Sequence, residues 1–182
     1  MSAEQGKTLL AIARAAIAAT LGRTVQADES ALWLRQPGAT FITLTQRGEL
    51  RGCIGSLEPR RTLLEDVKAN ACSAAFQDPR FAPLTAAEFD ITRLEISLLS
   101  PCQKIEFRSE QDALAQLRPM IDGVVFEYKH HRSTFLPQVW EQLPDKEDFM
   151  GHLKLKSGLP PGFWDDELKL SRYTVEKWKE TP

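Results

Sequence analysis

The run Leu50-Arg51-Gly52-Cys53-Ile54-Gly55 constrains the fold most. It follows the apolar run Phe41-Ile42-Thr43-Leu44-Thr45 across Gln46-Arg47-Gly48-Glu49. Two extended runs joined through a glycine-bearing turn predict a β-hairpin. Strand side chains alternate between faces, so Leu50 and Ile54 share one face with Gly52 between them, while Arg51, Cys53 and Gly55 share the other. Gly52 and Gly55 weaken a strand and mark places where another backbone or a ligand comes close. A thiol beside a guanidinium is a candidate reactive centre, because a nearby positive charge favours the thiolate.

The rest of the chain alternates helical and extended signals. Ser2 and Gln5 form a capping box ahead of Leu9, Ile12, Ala13, Ala16, Ile17 and Leu21, which follow helical spacing up to Gly22. A connector over residues 23–39 includes a short strand at 31–34 and ends at Pro37-Gly38. Thr62 and Glu65 make a second capping box, and the helix behind it stops near Asp78 because Pro79 disfavours helical geometry before it. Asp78-Pro79-Arg80-Phe81 is a compact loop with a carboxylate and a guanidinium flanking a stiff residue. Residues 93–99 alternate, with Leu94, Ile96 and Leu98 inward and Arg93, Glu95 and Ser97 outward. A short helix opens at Ser109, and residues 123–128 form a strand. His130-His131-Arg132 reads as a turn and residues 134–136 as the return strand. Pro137 starts a short helix, Asp145 caps a helix from Lys146 to Lys156, and residues 168–173 are the last strand candidate. This mixture has no strict β-α-β rhythm, so the predicted class is α+β with a mixed or antiparallel sheet flanked by helices.

Composition excludes several function classes. With 182 residues, 42% apolar and 26% charged, the chain has material for a core in one domain or two interlocked subdomains. A net charge of -2 gives no electrostatic footprint for nucleic acid. Cys53, Cys72 and Cys102 are an odd set without C-x-x-C spacing, which argues against a disulfide framework and a structural zinc, and for reduced thiols in the cytoplasm. The first residues lack the pattern of a signal peptide, and residues 9–21 are too short to span a bilayer. His130, His131 and His152 do not make a metal set, since adjacent extended residues point to opposite sides. The four tryptophans are widely spaced and read as packing residues. No cofactor motif is present.

Each candidate has an ordinary explanation beside the functional one. Cys53 is either a nucleophilic thiol or a small buried hydrophobe. Arg51 and Arg80 are either anchors for an anionic ligand or partners of Asp78 or Glu95 that fasten the hairpin to the loop. Glu95 is either a general base for the thiol or an exposed strand carboxylate. Lys156 ends a helix, where a cation meets the terminal carbonyls. Cys72 reads as core.

The segment Leu50–Gly55 resembles the signature of the AMMECR-type domain, whose bacterial and archaeal members are called protein A of the AmmeMemoRadiSam system. The resemblance continues, in family order, through residues 78–81, 95–101, 122–123, 136–139 and 156–159, and spans about 41 to 164. It implies one α+β domain over residues 1–182, with two subdomains and a cleft at the signature hairpin of about 41–57. It also implies genomic company with a Memo-like protein and a radical SAM protein, and it makes Lys156 a further anion-binding candidate. The hairpin before Pro137 departs from the glycine-rich, apolar family pattern, reading Lys129-His130-His131-Arg132-Ser133-Thr134-Phe135.

Three readings follow. The preferred one is an accessory component whose cleft around Leu50–Gly55 binds one of those two partners. The second is an enzyme with Cys53 as thiol or thiolate, Glu95 as base, and Arg51, Gly52, Gly55, Asp78, Arg80 and Lys156 lining a site for a small anionic ligand. The third is a nucleic-acid module, which net charge disfavours. No membrane role is expected.

Overall fold

The computed structural model describes residues 2–181. The chain forms two compact units, one running to Leu99 and resumed from Glu176 onward, the other Ser100–Val175.

The first unit opens with helix α1 (Ala3–Thr20), whose Ser2–Gln5 capping box is present. Two-residue strands β1 (Pro37–Gly38) and β4 (Arg61–Thr62) pair with each other. Strands β2 (Thr40–Gln46) and β3 (Glu49–Gly55) form the predicted hairpin. Arg47 and Gly48 both have positive φ, 52° and 89°, as a two-residue type I′ turn requires. Helix α2 (Leu63–Phe76) starts at the Thr62–Glu65 capping box. Helix α3 (Ala86–Phe89) and strand β5 (Thr92–Leu99) follow.

The second unit contains β6 (Gln103–Ile105), α4 (Glu110–Gln116), β7 (Gly123–Tyr128), β8 (His131–Phe135), α5 (Lys146–Lys156) and β9 (Lys169–Tyr173). Strand β10 (Val175–Lys179) then returns the chain to the first unit. The four-stranded sheets run β10-β5-β2-β3 and β6-β9-β7-β8, and the registered pairs are antiparallel. The class is therefore α+β.

Each unit buries its own core. In the first, Leu9, Ile12 and Ile17 of α1 and Val67, Ala71 and Ala74 of α2 cover Ile42, Leu44, Leu94 and Ile96 of the sheet. In the second, Trp140 and Phe149 stack with ring centroids 3.6 Å apart among Val124, Phe126, Leu153 and Leu170.

Several local expectations need correction. Residues 31–34 are not a strand: Leu32–Arg35 is a 3-10 turn that buries Leu34, and Pro37-Gly38 is itself extended. The alternation of β5 fails at its end, where Ser97 is buried and Leu98 is only half-buried, with Leu99 buried next to it. The β7–β8 turn lies at Lys129-His130, so His131 and Arg132 belong to β8. The rings of His130 and His131 consequently sit 4.1 Å apart rather than on opposite sides. Helix α3 and strand β10 were not anticipated.

Candidate functional site

The hairpin face that carries Cys53 is organised by register. Thr43 pairs with Cys53 on one side and Glu95 on the other, so these three side chains form one row across β3, β2 and β5. The Thr43 hydroxyl donates to Cys53 Sγ at 3.4 Å. Phe41 occupies the next row, and its ring lies over Gly55, where a Cβ would come within 2.3 Å of it. On the opposite face Gly52 meets α2: a Cβ there would stand 2.2 Å from the Ala74 carbonyl oxygen. Both glycines are thus fixed by packing within the unit, each by close approach of a neighbour.

The Asp78-Pro79-Arg80 loop clamps the outer edge of β3. Asp78 Oδ2 accepts the Cys53 backbone N–H at 2.9 Å, and Arg80 Nη2 donates to the Cys53 carbonyl at 3.2 Å. Arg80 also grips Asp78 through Nε to Oδ1 at 2.9 Å and Nη2 to Oδ2 at 2.7 Å. The Arg80 guanidinium holds the Asp78 carboxyl well below the usual carboxylate range, with the Cys53 N–H adding to the effect against the cost of burial. Arg80 is in turn raised, chiefly by its bonds to Asp78, and Cys53 is among the smaller contributors.

Arg51 goes elsewhere. Its Nε and Nη2 bond Glu88 at 3.0 and 3.3 Å, and its guanidinium carbon lies 5.9 Å from the Phe81 ring centre. Nη1 is buried without a hydrogen-bond partner. Glu88 is also the reciprocal residue of the Thr85 capping box. Arg51 first, and then the Thr85 N–H, lower its carboxyl to about 2. The expected fastening of the hairpin to the loop is made by Arg80 with Asp78. Arg51 pairs with neither Asp78 nor Glu95, and the guanidinium bonded to the Cys53 backbone belongs to Arg80. The register shift between Leu44 and Thr45 breaks the even alternation at Arg51.

Glu95 is largely buried, its side chain 15% exposed, and it pairs with Lys179 at 2.8 Å and Lys177 at 3.7 Å. Lys156 lies in the second unit, where its ammonium donates to the Thr134 carbonyl at 2.9 Å instead of the carbonyls ending α5. Cys72 is half-buried, with its Sγ 3.6 Å from the Ala16 carbonyl. Cys102 is exposed. Among the described residues no three His, Cys, Asp or Glu side chains gather as a metal set, and no helix is long and apolar enough to cross a membrane.

Two groups escaped sequence reasoning. Glu88 carries a legible signal, because Thr85-Ala86-Ala87-Glu88 is a capping-box pattern. The second group is a buried network at the end of β3. Asp66 accepts from Thr40 N and Oγ1 at 2.7 Å each, Ser56 Oγ at 2.7 Å, Arg61 Nε at 2.9 Å and Asn70 Nδ2 at 2.9 Å. Only the i, i+4 spacing of Asp66 and Asn70 on α2 hints at it. In the second unit, a hollow of about 640 Å³ is lined by Ile105, Phe107 and Leu168 together with charged residues such as Lys104, Glu127 and Lys169; none of the predicted site residues lines it.

The AMMECR1 family profile matches residues 10–178. This chain belongs to the AMMECR1 family. A protein of Methanothermobacter thermautotrophicus is 36% identical to it over 185 aligned residues, covering 99% of this chain and 96% of the relative. A Thermotoga maritima protein is 36% identical over 87% of this chain and 88% of its own. The crystal structure of the uncharacterized protein PH0010 from Pyrococcus horikoshii is similar across 99% of this chain and 93% of that one, with a TM-score of 0.87 and 31% identity. The AMMECR1 fold thus accounts for both units of this chain.

Proposed function

We propose that this AMMECR1-family chain is a non-catalytic, partner-binding component that acts with a Memo-like protein and a radical SAM protein through the surface around Leu50–Gly55. One observation carries the reading: each charged group near Cys53 already has an opposite charge from its own unit. Asp78 holds Arg80, Glu88 holds Arg51, and Lys177 and Lys179 hold Glu95. Such neutralised pairs fix a shape, whereas a general base needs a carboxylate or imidazole within reach of the thiol proton. The hydroxyl of Thr43 is the side-chain group bonded to Cys53 Sγ.

The docking face is the turn end of the sheet. Leu50 is 43% exposed and Ile91 51% exposed. Gln46 pairs with Glu49 on one side and Thr92 on the other, which sets both apolar residues at the same end. Apolar residues rimmed by charge are typical of a protein contact. Co-expression with the Memo-like protein tests this. Leu50→Asp is expected to reduce co-purified partner about tenfold or more, since a buried apolar anchor is worth about 1.5–3 kcal/mol. Undiminished recovery contradicts the reading.

The second reading keeps Cys53 as the nucleophile of an enzyme, supported by the Thr43 donor and the Arg80 clamp on its main chain. Under it, Cys53→Ser abolishes activity and Leu50→Asp leaves it unchanged.

A further inference from the structure

Strand β3 ends its sheet, and among the described residues its outer edge meets no further strand. An open edge with unpaired main-chain groups is a template for another chain, and proteins blunt such edges with charge, proline or a covering loop. The two ends of this sheet are blunted differently. At the far end, β10 carries Lys177 and Lys179. In β3 the Cys53 main chain faces outward, since its N–H goes to Asp78 and its carbonyl to Arg80. The strand reads Glu49-Leu50-Arg51-Gly52-Cys53-Ile54-Gly55; Glu49 lies at the turn, away from Cys53, and Glu88 neutralises the one cation. This edge has little charge of its own to repel a second strand.

The Asp78-Arg80 pair presents an acceptor to the Cys53 N–H and a donor to the Cys53 carbonyl. That is what the main chain of an antiparallel neighbour would present. We infer that Asp78 and Arg80 form a strand surrogate that occupies the edge of β3 and keeps it from pairing with the β3 of a second copy of this chain. An antiparallel edge is self-complementary about a two-fold axis. With the axis at Cys53, the two Cys53 residues exchange both hydrogen bonds, and their Cα atoms stand about 5.5 Å apart. Removing the surrogate therefore exposes a dimer interface with a thiol from each copy at its centre. This inference is independent of which partner the protein serves.

The test uses the full chain with Cys72→Ser and Cys102→Ser, so that Cys53 is the remaining thiol. Mass is measured by light scattering over a concentration series, and proximity by a short bis-maleimide cross-linker. The parent chain is expected to give no Cys53–Cys53 cross-link. Asp78→Ala with Arg80→Ala is expected to double in mass at high concentration and to cross-link through Cys53. Arg80→Ala alone serves if the double variant does not fold, because the Arg80 side chain is 53% exposed and its loss opens no core. In that variant the Cys53 carbonyl is freed while Asp78 still holds the N–H, and the cross-link should appear at high concentration. Folded variants with parental mass and no cross-link overturn the inference, as does a parent chain that already cross-links.

Discussion

At the scale of single residues, small side chains and paired charges shape the hairpin. Gly52 admits α2, since a methyl group there would collide with the Ala74 carbonyl, which is helix backbone and cannot rotate away. Gly52→Ala is expected to lose about 1–3 kcal/mol by overpacking. In thermal unfolding that is a fall of about 2–12 °C for a chain of this size. Glu88 gives a pH dependence with a defined sign. Its folded carboxyl lies at about 2 against an ordinary 4.5, because Arg51 holds it ionised. Its contribution is complete above about pH 4.5 and disappears as pH falls through 2. Denaturant titrations at pH 6 and pH 3 should show Glu88→Gln losing about 1–2 kcal/mol at the higher pH and less at the lower, with allowance for its partial exposure. Equal losses at both values would remove the ion pair from the account. Asp78 is likewise held well below the ordinary carboxylate range, chiefly by Arg80, so the clamp on Cys53 also persists to low pH.

Among the elements, the ends of β3 are fixed by two polar assemblies, the Asp78-Arg80 loop and the network around Asp66. Asp66 is almost wholly buried and serves β2, the segment after β3, and α2 together. Asp66→Ala leaves the buried Thr40 N–H without its acceptor, and should cost about 1–3 kcal/mol in chemical denaturation. Legibility in the sequence followed the locality of the signal. Arg47-Gly48, the Ser2 and Thr62 capping boxes and the Asp145–Lys156 helix depend on neighbours within four residues, and all were readable. The helix spacing of Leu9, Ile12 and Ile17 likewise marked the buried face of α1. Strand β10 was not readable, because Val175-Glu176-Lys177-Trp178-Lys179 is an edge strand with little apolar patterning. Nor was the pairing of Arg51 with Glu88, which are 37 residues apart and meet only through the fold. The sequence placed Arg51 and Cys53 on one face, but a register shift and a distant carboxylate determined where the guanidinium went.

For the whole molecule, the chain leaves the first unit at Leu99 and re-enters it at Glu176. The returning segment is a structural part of that unit. Trp178 packs onto Gly6 of α1, and Glu180 receives Leu94 N at 3.0 Å while its own N–H bonds the Leu94 carbonyl at 3.0 Å. Ending the chain after Thr174 should accelerate amide exchange in β5 and α1, with α5 and β7 retaining their protection; uniform exchange across both units would contradict a two-unit organisation. Whether the assembled molecule performs chemistry at its thiol or presents a surface is decided most directly by Cys53→Ser. The measurement is the rate of any reaction of this chain with the proposed Memo-like and radical SAM partners, alongside its affinity for the proposed partner. A partner-binding component predicts that the serine variant keeps both within about twofold of the parent, well inside a 1 kcal/mol change. Loss of the rate with affinity intact would contradict it and assign the reaction to the sulfur.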